Sequence, residues 1–311
     1  MLSKSILVVM FVLYGSMAAA QTEEAPAPSL AFTATIVDGA FTFDTGVLRG
    51  HLRHGGGSIG LVPMHHVPTE TPLANIPGIL NYYRVFSTNH RYVESMRGLP
   101  SSAEKVGTNA VRAHWDAGEE HPYTLDATYV LTQKDTLDLV TEVTAQADLP
   151  DFEIFLSSYC GEAFKTTHVF VQKEEGMADF MAADKIDKVW QMFPRDDAAV
   201  KLIQDGRWTY PSSPVDWAIR PAYAAPLLYR KDEASGVAIV LMTRPEDCFA
   251  VSTPETGEQH YSMYFSLFGT DVKKGETVRA FTRLVVGEFD NEDVVGLYNE
   301  FLEDLKEEST Q

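Results

Sequence analysis

The chain has 311 residues, of which 45% are hydrophobic and 22% charged. This composition provides enough apolar material for a sizeable core and differs from that of a disordered protein. Asp and Glu total 44 against 25 Lys and Arg, which gives a formal net charge of -19. A nonspecific nucleic-acid binder needs a dense cationic face, so we expect no nucleic-acid partner. After the N-terminus no apolar run approaches the ~20 residues that cross a bilayer, so we expect no membrane span in the mature chain.

The N-terminus has the three regions of a signal peptide. Lys4 precedes an apolar stretch over residues 6–14, and Ala18-Ala19-Ala20 supplies small residues before Gln21. We therefore predict that residues 1–20 are removed and that the protein is secreted or periplasmic.

The rest of the chain is predicted to form one domain after a short tether. Residues 21–29 contain two prolines and two glutamates and are typical of a flexible tether. Residues 30–311 show no internal repeat and no second linker, and this length suits one large β-sandwich domain.

Segments typical of β-strands follow the tether in chain order. They are rich in Val, Thr, Phe and Tyr and are separated by turn residues such as Lys274-Gly275. The predicted strands are Leu30 to Ile36, Phe41 to Phe43, Ser58 to Met64, Val106 to Trp115, Tyr123 to Leu131, Leu137 to Ala145, Phe152 to Cys160, His168 to Gln172, Val189 to Phe193, Ala199 to Ile203, Val237 to Met242, Cys248 to Ser252, His260 to Phe268, and Val278 to Val286. This spacing predicts an all-β fold with antiparallel sheets.

The last segment has helical periodicity. Val294, Leu297, Phe301 and Leu305 recur at helical spacing after Asp290, which is a suitable N-cap. We predict an amphipathic C-terminal helix over residues 291–307 that packs outside a sheet.

Several segments resemble, in the same order, the galactose mutarotase-like (aldose 1-epimerase type) superfamily. Residues 129–145, 148–151 and 155–159 look like its central strands, and residues 258–260, 274–277 and 279–286 are similar to its late glutamate segment and final strand. Asn81-Tyr-Tyr-Arg84 and Asn89-His90-Arg91 lie where that family carries an Asn-Arg pair lining the sugar pocket. The resemblance implies a large antiparallel β-supersandwich that binds or acts on carbohydrate.

The resemblance also implies an acid–base mechanism, from which this chain departs at one position. In the family a His two residues before an aromatic Tyr acts as general acid, and this chain has Ser157 there. A serine hydroxyl cannot act as an acid near neutral pH because its pKa is too high. His90 or His168 would have to replace it, and the late glutamate that acts as base in the family would be Glu258 or Glu255.

Three residues are our candidates for catalysis, namely His90, Glu258 and His260. Glu258 and His260 lie two positions apart, so on a strand both would project from one face and could form an acid–base pair. The alternative for Glu258 and His260 is a solvated pair at the rim of the sheet.

The candidate substrate-binding residues are Tyr82, Tyr83, Arg84, Asn89 and Arg91. Sugars need this mixture, because their apolar CH faces stack on aromatic rings while guanidinium groups bind hydroxyls and carboxylates. The arginines would matter most for a uronate and the tyrosines for a neutral sugar.

Trp190, Trp208 and Trp217 lie in an aromatic, Pro-rich region over residues 189–229. This region could cover one mouth of the sandwich as a sugar platform, and the alternative role of the three tryptophans is core packing.

The two cysteines, Cys160 and Cys248, are compatible with a disulfide in an exported protein or with two buried thiols. Neither belongs to a CxxC motif, which excludes that redox site.

No metal or cofactor is expected. His51, His54, His65 and His66 lack a nearby Cys or an HExxH helix, and a spacing of three on a strand would point His51 and His54 to opposite faces.

Two classes of function remain. The protein is either an enzyme, such as a mutarotase, epimerase, glycosidase or lyase, or an exported protein that binds carbohydrate or has a structural role without catalysis.

Overall fold

The computed structural model describes residues 27–35, 40–54, 60–88 and 90–308. The predicted signal peptide lies outside these residues, as does most of the predicted tether. Ser29, the last tether residue, already belongs to the first strand.

The described residues form twenty-one strands and two α-helices. The strands are β1 (Ser29–Ala34), β2 (Ala40–Asp44), β3 (Leu48–Arg53), β4 (Gly60–His66), β5 (Thr71–Pro72), β6 (Asn81–Ser87), β7 (His90–Arg91), β8 (Ser102–Lys105), β9 (Ala110–Trp115), β10 (Tyr123–Leu131), β11 (Thr136–Ala145), β12 (Leu149–Tyr159), β13 (Thr167–Gln172), β14 (Ala178–Ala182), β15 (Trp190–Pro194), β16 (Ala218–Ile219), β17 (Tyr223–Lys231), β18 (Val237–Thr243), β19 (Cys248–Pro254), β20 (Ser262–Val272) and β21 (Thr277–Glu288). The helices are α1 (Asp197–Ile203) and α2 (Asn291–Glu308). Neither helix has the length and apolar character needed to cross a lipid bilayer.

The strands are arranged in three sheets. The first has five strands in the order β1-β2-β3-β4-β5, the second nine in the order β14-β13-β17-β18-β21-β11-β10-β9-β8, and the third seven in the order β16-β15-β19-β20-β12-β6-β7. Among the described strand pairs, β15 and β16 run parallel and the others antiparallel. The prediction of antiparallel sheets is therefore confirmed.

The main core lies between the nine-stranded and seven-stranded sheets. It contains Tyr129 and Leu139 from the nine-stranded sheet and Ile154 and Phe265 from the seven-stranded sheet, all 1% exposed or less. Strands β10 and β11 alternate between buried and half-exposed residues, as expected for strands with one solvated face. The five-stranded sheet adds its own apolar residues, including Phe32, to the same core.

Helix α2 covers the outer face of the nine-stranded sheet. The backbone N–H groups of Glu292 and Asp293 donate to Asp290 Oδ1, which caps the first turn. Val294 and Phe301 are buried in the cluster that the helix shares with this sheet. The predicted C-terminal amphipathic helix is confirmed.

The predicted strand Ala199 to Ile203 is wrong, because these residues lie in α1. The Ala199 N–H donates to Asp196 Oδ1 at 2.9 Å, so a local N-cap stabilises the first turn. Ala199 and Ile203 are four positions apart and both face the apolar cluster on the outer face of the seven-stranded sheet.

The disulfide alternative for the two cysteines is wrong, because both are free and buried. Cys248 pairs with Leu267 of β20, whereas the Cys160 N–H donates to the Tyr261 carbonyl, just before β20 begins. Six residues of extended chain separate those two partners, which corresponds to about 20 Å. A disulfide requires Cα atoms within ~7 Å.

Candidate functional site

A β-bulge in β6 directs two consecutive side chains to the outer face of the seven-stranded sheet. Val85 pairs with Ile154 and Tyr82 pairs with Leu156, so three residue intervals of β6 lie opposite two residue intervals of β12. The extra residue interrupts the alternation, so that Tyr83 and Arg84 both line a cavity on the outer face.

Tyr82 faces the other way, into the main core, and is 0% exposed. Its ring lies edge-on to Trp115, and its hydroxyl lies 2.6 Å from Thr141 Oγ1 of β11. The structure therefore contradicts the expectation that Tyr82 is a sugar platform.

The outer face of the seven-stranded sheet carries an aromatic cavity of about 260 Å³, which we call the outer cavity. Its lining residues come from β6, β12, β15, β20 and the connections near them, and are Tyr83, Arg84, Phe155, Tyr159, Trp190, Trp208, Ser213, Pro214, Val215, Trp217, His260 and Tyr264. The rings are packed against one another: Phe155 stacks on Tyr264 at 4.6 Å, and Trp208 meets Trp217 edge-on at 5.0 Å. The three tryptophans of the 189–229 region thus line a cavity, although Trp208 and Trp217 are 3% and 7% exposed.

A buried ion pair positions Trp208. Arg207 begins the short 3-10 turn Arg207–Thr209, and its Nη1 donates to Glu153 Oε2 of β12 at 2.9 Å. Both side chains are fully buried, and Asp205 accepts further hydrogen bonds from the same guanidinium. The turn that carries Trp208 is therefore fixed to the sheet directly beneath it.

His260 and Glu258 lie together at one side of the outer cavity. They belong to the turn between β19 and β20, not to a strand as predicted. Glu258 Oε1 lies 2.5 Å from His260 Nδ1, and Glu258 Oε2 accepts from the His260 backbone N–H. The imidazole lies edge-on to Trp190 at 5.3 Å, which places it against the aromatic wall.

His90, the third catalytic candidate, lies in a different cavity. That cavity is lined by Arg91, Glu119, Glu120 and Asp148 among others, and His90 packs edge-on against Tyr92. The segment 210–215 contributes to both cavities, its first three residues to the one with His90 and its last three to the outer cavity. The structure therefore does not bring His90 together with the Glu258–His260 pair.

The remaining predicted residues lie in different parts of the structure. Arg91 lines the cavity of His90 and donates from Nη1 to the Ser212 carbonyl at 2.7 Å. Asn89 lies outside the described residues. Glu255 is buried and is not part of the outer-cavity lining, and His168 stacks on Tyr229 of the nine-stranded sheet.

Ser157, at the position of the family's acid, faces the same side of β12 as Phe155 and Tyr159 but is fully buried. Its hydroxyl lies 2.9 Å from Asn81 Oδ1 and 3.0 Å from the Asn81 carbonyl, and both of these oxygens only accept. The single proton of Ser157 is therefore already used, and the hydroxyl has none left to give to a ligand.

Sequence reasoning missed Arg97. Its Nη1 donates to Asn81 Oδ1 at 3.0 Å, and its guanidinium lies 4.3 Å from the ring centroid of Tyr83. The only available signal was the Asn81–Arg84 segment, because Arg97 reaches the site from a separate 3-10 turn, Met96–Gly98.

Comparison with solved structures supports the fold. No protein-family model and no curated protein matches the chain. A galactose mutarotase-like protein from Lactobacillus casei ATCC 334 is similar with a TM-score of 0.52 and 11% identity, covering 80% of this chain and 100% of that one. The Slr1438 protein from Synechocystis sp. PCC 6803 is similar with a TM-score of 0.50 and 10% identity, covering 85% of this chain and 99% of that one.

A third similar structure is the quadruple mutant of the alpha-N-acetylgalactosaminidase NagBb from Bifidobacterium bifidum. Its TM-score is 0.53 at 12% identity, covering 85% of this chain and 39% of that chain. At these identities the likeness concerns the fold. The chain has the galactose mutarotase-like β-supersandwich fold, as the sequence resemblance implied.

Proposed function

We propose that this protein binds an aldose sugar in the outer cavity and catalyses interconversion of its anomers with the His260–Glu258 pair. A mutarotase-like protein and a glycosidase are among the solved structures with this fold, which supports a carbohydrate ligand. Fold alone does not establish an activity, so the proposal rests on the cavity.

The aromatic lining supports a sugar ligand. Tyr83, Phe155, Trp190 and Tyr264 present rings to the cavity, and the apolar CH faces of a pyranose stack on such rings. Ligand sites combine apolar walls with a few polar groups that fix orientation, and here Arg84 and His260 supply those groups.

The observation that carries the proposed catalysis is the 2.5 Å contact between Glu258 Oε1 and His260 Nδ1. A carboxylate only accepts hydrogen bonds, so this contact places a proton on Nδ1, and in the neutral imidazole Nε2 then has a free lone pair. Among the described residues Nε2 has no hydrogen-bond partner. A carboxylate that fixes the tautomer and stabilises the imidazolium is the arrangement that makes histidine an effective base.

The step follows from this geometry. His260 Nε2 takes the proton of the anomeric hydroxyl, the oxygen electron pair forms a carbonyl, and the bond from the anomeric carbon to the ring oxygen breaks. The ring oxygen takes a proton from water, and the resulting hydroxide neutralises the imidazolium. Reclosure on the other face of the carbonyl reverses these transfers and gives the other anomer.

The test follows anomer interconversion by NMR for a panel of neutral and acidic aldoses. Loss of a general acid–base residue lowers rates by about 10²–10⁴, so His260→Ala should lose most of the enzymatic rate and Glu258→Gln a smaller part. His114→Ala is the matched control, because His114 lies on β9 and hydrogen-bonds Asp126 outside the cavity. A His260→Ala variant with wild-type rates would contradict the proposal.

A second candidate is carbohydrate binding without turnover, and Ser157 favours it. The hydroxyl that stands at the position of the family's acid is committed to Asn81, so the described site has one acid–base group where the family uses two. Saturable sugar binding with no anomer interconversion, and no new reducing ends from oligosaccharides, would support this candidate over the enzyme.

We also propose that the protein is exported after removal of residues 1–20. Mass spectrometry of secreted or periplasmic material should find the mature N-terminus near Gln21. Cytoplasmic protein that retains Met1 would contradict the proposed export.

A further inference from the structure

Arg84 is a buried cation whose hydrogen-bonding capacity is mostly unused. It is 4% exposed, lines the outer cavity, and donates from Nη2 to the Ser213 carbonyl at 2.8 Å. Its Nε and Nη1 are buried and have no hydrogen-bond partner among the residues that the structure describes. The rings of Tyr83 and Trp208 lie 5.0 and 5.3 Å from its Cζ, so its neighbours are mainly aromatic.

Among the described residues no carboxylate forms an ion pair with Arg84. The other buried arginine of this face, Arg207, pairs with Glu153, and the described ion pairs include none to Arg84. Arg230 is also buried without a carboxylate, but its guanidinium donates to the carbonyls of Phe164, Lys165 and Ser262. Burying a charge without a partner is costly, so a buried guanidinium without one indicates that something else supplies the negative charge.

Two further donors of the same lining are unpaired. Within the described part of the chain, Trp208 Nε1 and Trp217 Nε1 are buried without a hydrogen-bond partner, and an indole N–H can only donate. The residues around Arg84 therefore present several donor atoms with no acceptor. An unsatisfied buried donor is rare in native proteins, and a cluster of them is expected where a ligand brings the acceptors.

A second arginine strengthens the positive potential nearby. Burial, and next the positive charge of Arg84, lower the pKa of Arg91. Arg91 uses its own donors on the Ser212 and Glu94 carbonyls, so it adds charge without lining the outer cavity.

The geometry points to an acidic sugar as the ligand of the outer cavity, with its anionic group bound by Arg84 and the Trp208 and Trp217 N–H groups. This inference rests on the proposed function, that the cavity binds an aldose, and adds the chemical class of that aldose. Oxygen atoms of a carboxylate or a sulfate ester accept the charge-assisted hydrogen bonds that Arg84 has to give.

The charges of the lining favour a single negative charge on that group. Arg84 is the one arginine among the lining residues, and His260 is already paired with Glu258. A carboxylate or sulfate ester would be neutralised by one guanidinium, whereas the dianion of a phosphate ester would keep an uncompensated charge in a largely apolar site.

The experiment compares matched ligands on the wild-type protein by isothermal titration calorimetry. The probes are D-glucuronate and D-galacturonate, their methyl esters, the parent hexoses, and the 6-sulfate and 6-phosphate esters of those hexoses. Removing a charged hydrogen bond weakens binding by about 10-fold to 100-fold, so each uronate or sulfate should bind that much more tightly than its neutral counterpart. A tighter uronate identifies a carboxylate ligand and a tighter sulfate identifies a sulfate ester.

Two variants separate Arg84 from general charge effects. Arg84→Gln should abolish the preference for the acid over its ester. Arg112→Gln removes the same charge from an exposed pair with Glu104, and this control variant should retain the preference. Because the ester comparison uses the wild-type protein, the inference stays testable if Arg84→Gln does not fold.

The outcomes that contradict the inference are distinct from failure of the proposed function. Equal affinity for acids, esters and parent hexoses would overturn the acidic-sugar inference and leave the proposed function intact. Tightest binding of the 6-phosphates would overturn the single-charge argument. Absence of binding by every probe would overturn the proposed function itself.

Discussion

Replacing Arg207 by Met should be among the most destabilising single substitutions in the chain. Glu153 would remain fully buried without the guanidinium that now lies 2.9 Å from its Oε2, and Asp205 would lose its partner as well. Breaking one side of a buried ion pair costs about 3–5 kcal/mol in the free energy of unfolding. This is a large fraction of the ~5–15 kcal/mol that typically stabilises a domain.

The double variant Arg207→Met with Glu153→Met tests the mechanism of that loss. Replacing both charges by apolar side chains of similar volume is often neutral, so we expect the double variant to recover most of the stability lost by Arg207→Met. Urea denaturation followed by circular dichroism measures the free energy of unfolding of the two single variants and of the double variant. The coupling energy then comes from the double-mutant cycle. Additive effects of the two substitutions, or a loss below ~1 kcal/mol for Arg207→Met, would refute the argument.

The loss of unfolding free energy caused by Arg207→Met should also depend on pH. Burial raises the pKa of Glu153, and Arg207 opposes that rise. Without Arg207 the folded-state pKa rises further above the unfolded value, so the folded state favours the protonated carboxyl. The loss of unfolding free energy should therefore be smallest at acidic pH and should grow as the pH rises above the unfolded-state pKa of a glutamate, about 4.3. A loss of unfolding free energy that does not depend on pH would show that the Glu153 charge is not its cause.

Three further experiments test a helix N-cap, a hydrogen bond in the core and the burial of the two thiols. Asp196→Ala removes the N-cap acceptor of the Ala199 N–H and should lower the free energy of unfolding by about 1 kcal/mol, measured by urea denaturation. Tyr82→Phe removes the hydrogen bond to Thr141 and should cost about 1–2 kcal/mol while leaving sugar affinity unchanged in calorimetry, because Tyr82 faces the core. Burial raises the pKa of Cys160 to about 12 and that of Cys248 as well, so neither thiol should react with a disulfide reagent until denaturant is added, and then both should.

The sequence predicted strands β10 and β11 closely. Strand β10 was predicted with the bounds that the structure shows, and β11 began one residue earlier than predicted. In both strands apolar and polar residues alternate, because one face packs in the core and the other is wet. Such a pattern is local and can be read without knowing the partner strand.

Strands β6 and β17 were missed because irregularities interrupt the alternation of each. β6 has a bulge, and β17 includes Pro226 and the buried Arg230, so neither shows a period of two. The bulge is also what gives Tyr83 and Arg84 the same face. For this reason the sequence singled out the Asn81–Arg84 segment but placed Tyr82 on the wrong side of the sheet.

The site is assembled from parts that lie far apart in the chain. Trp190, Trp208, Trp217 and His260 meet because β15, β19, β20 and β12 are neighbours in one sheet. A sequence pattern gives residue types and local spacing but not strand order. The Glu258–His260 pair could therefore be proposed from the sequence, whereas the location of His90 in a different cavity could not. Arg97 reaches the site through its contact with Asn81, which no local pattern indicates.

The intrinsic fluorescence of the tryptophans reports directly whether sugar binds in the outer cavity. Three of the four tryptophans line this cavity, and the fourth, Trp115, is fully buried in the main core. Titration with a ligand that binds by calorimetry should therefore change the emission saturably with the same affinity, and Trp217→Phe should reduce the change. Saturable heat of binding with unchanged emission would place the ligand elsewhere on the molecule and contradict binding in the outer cavity.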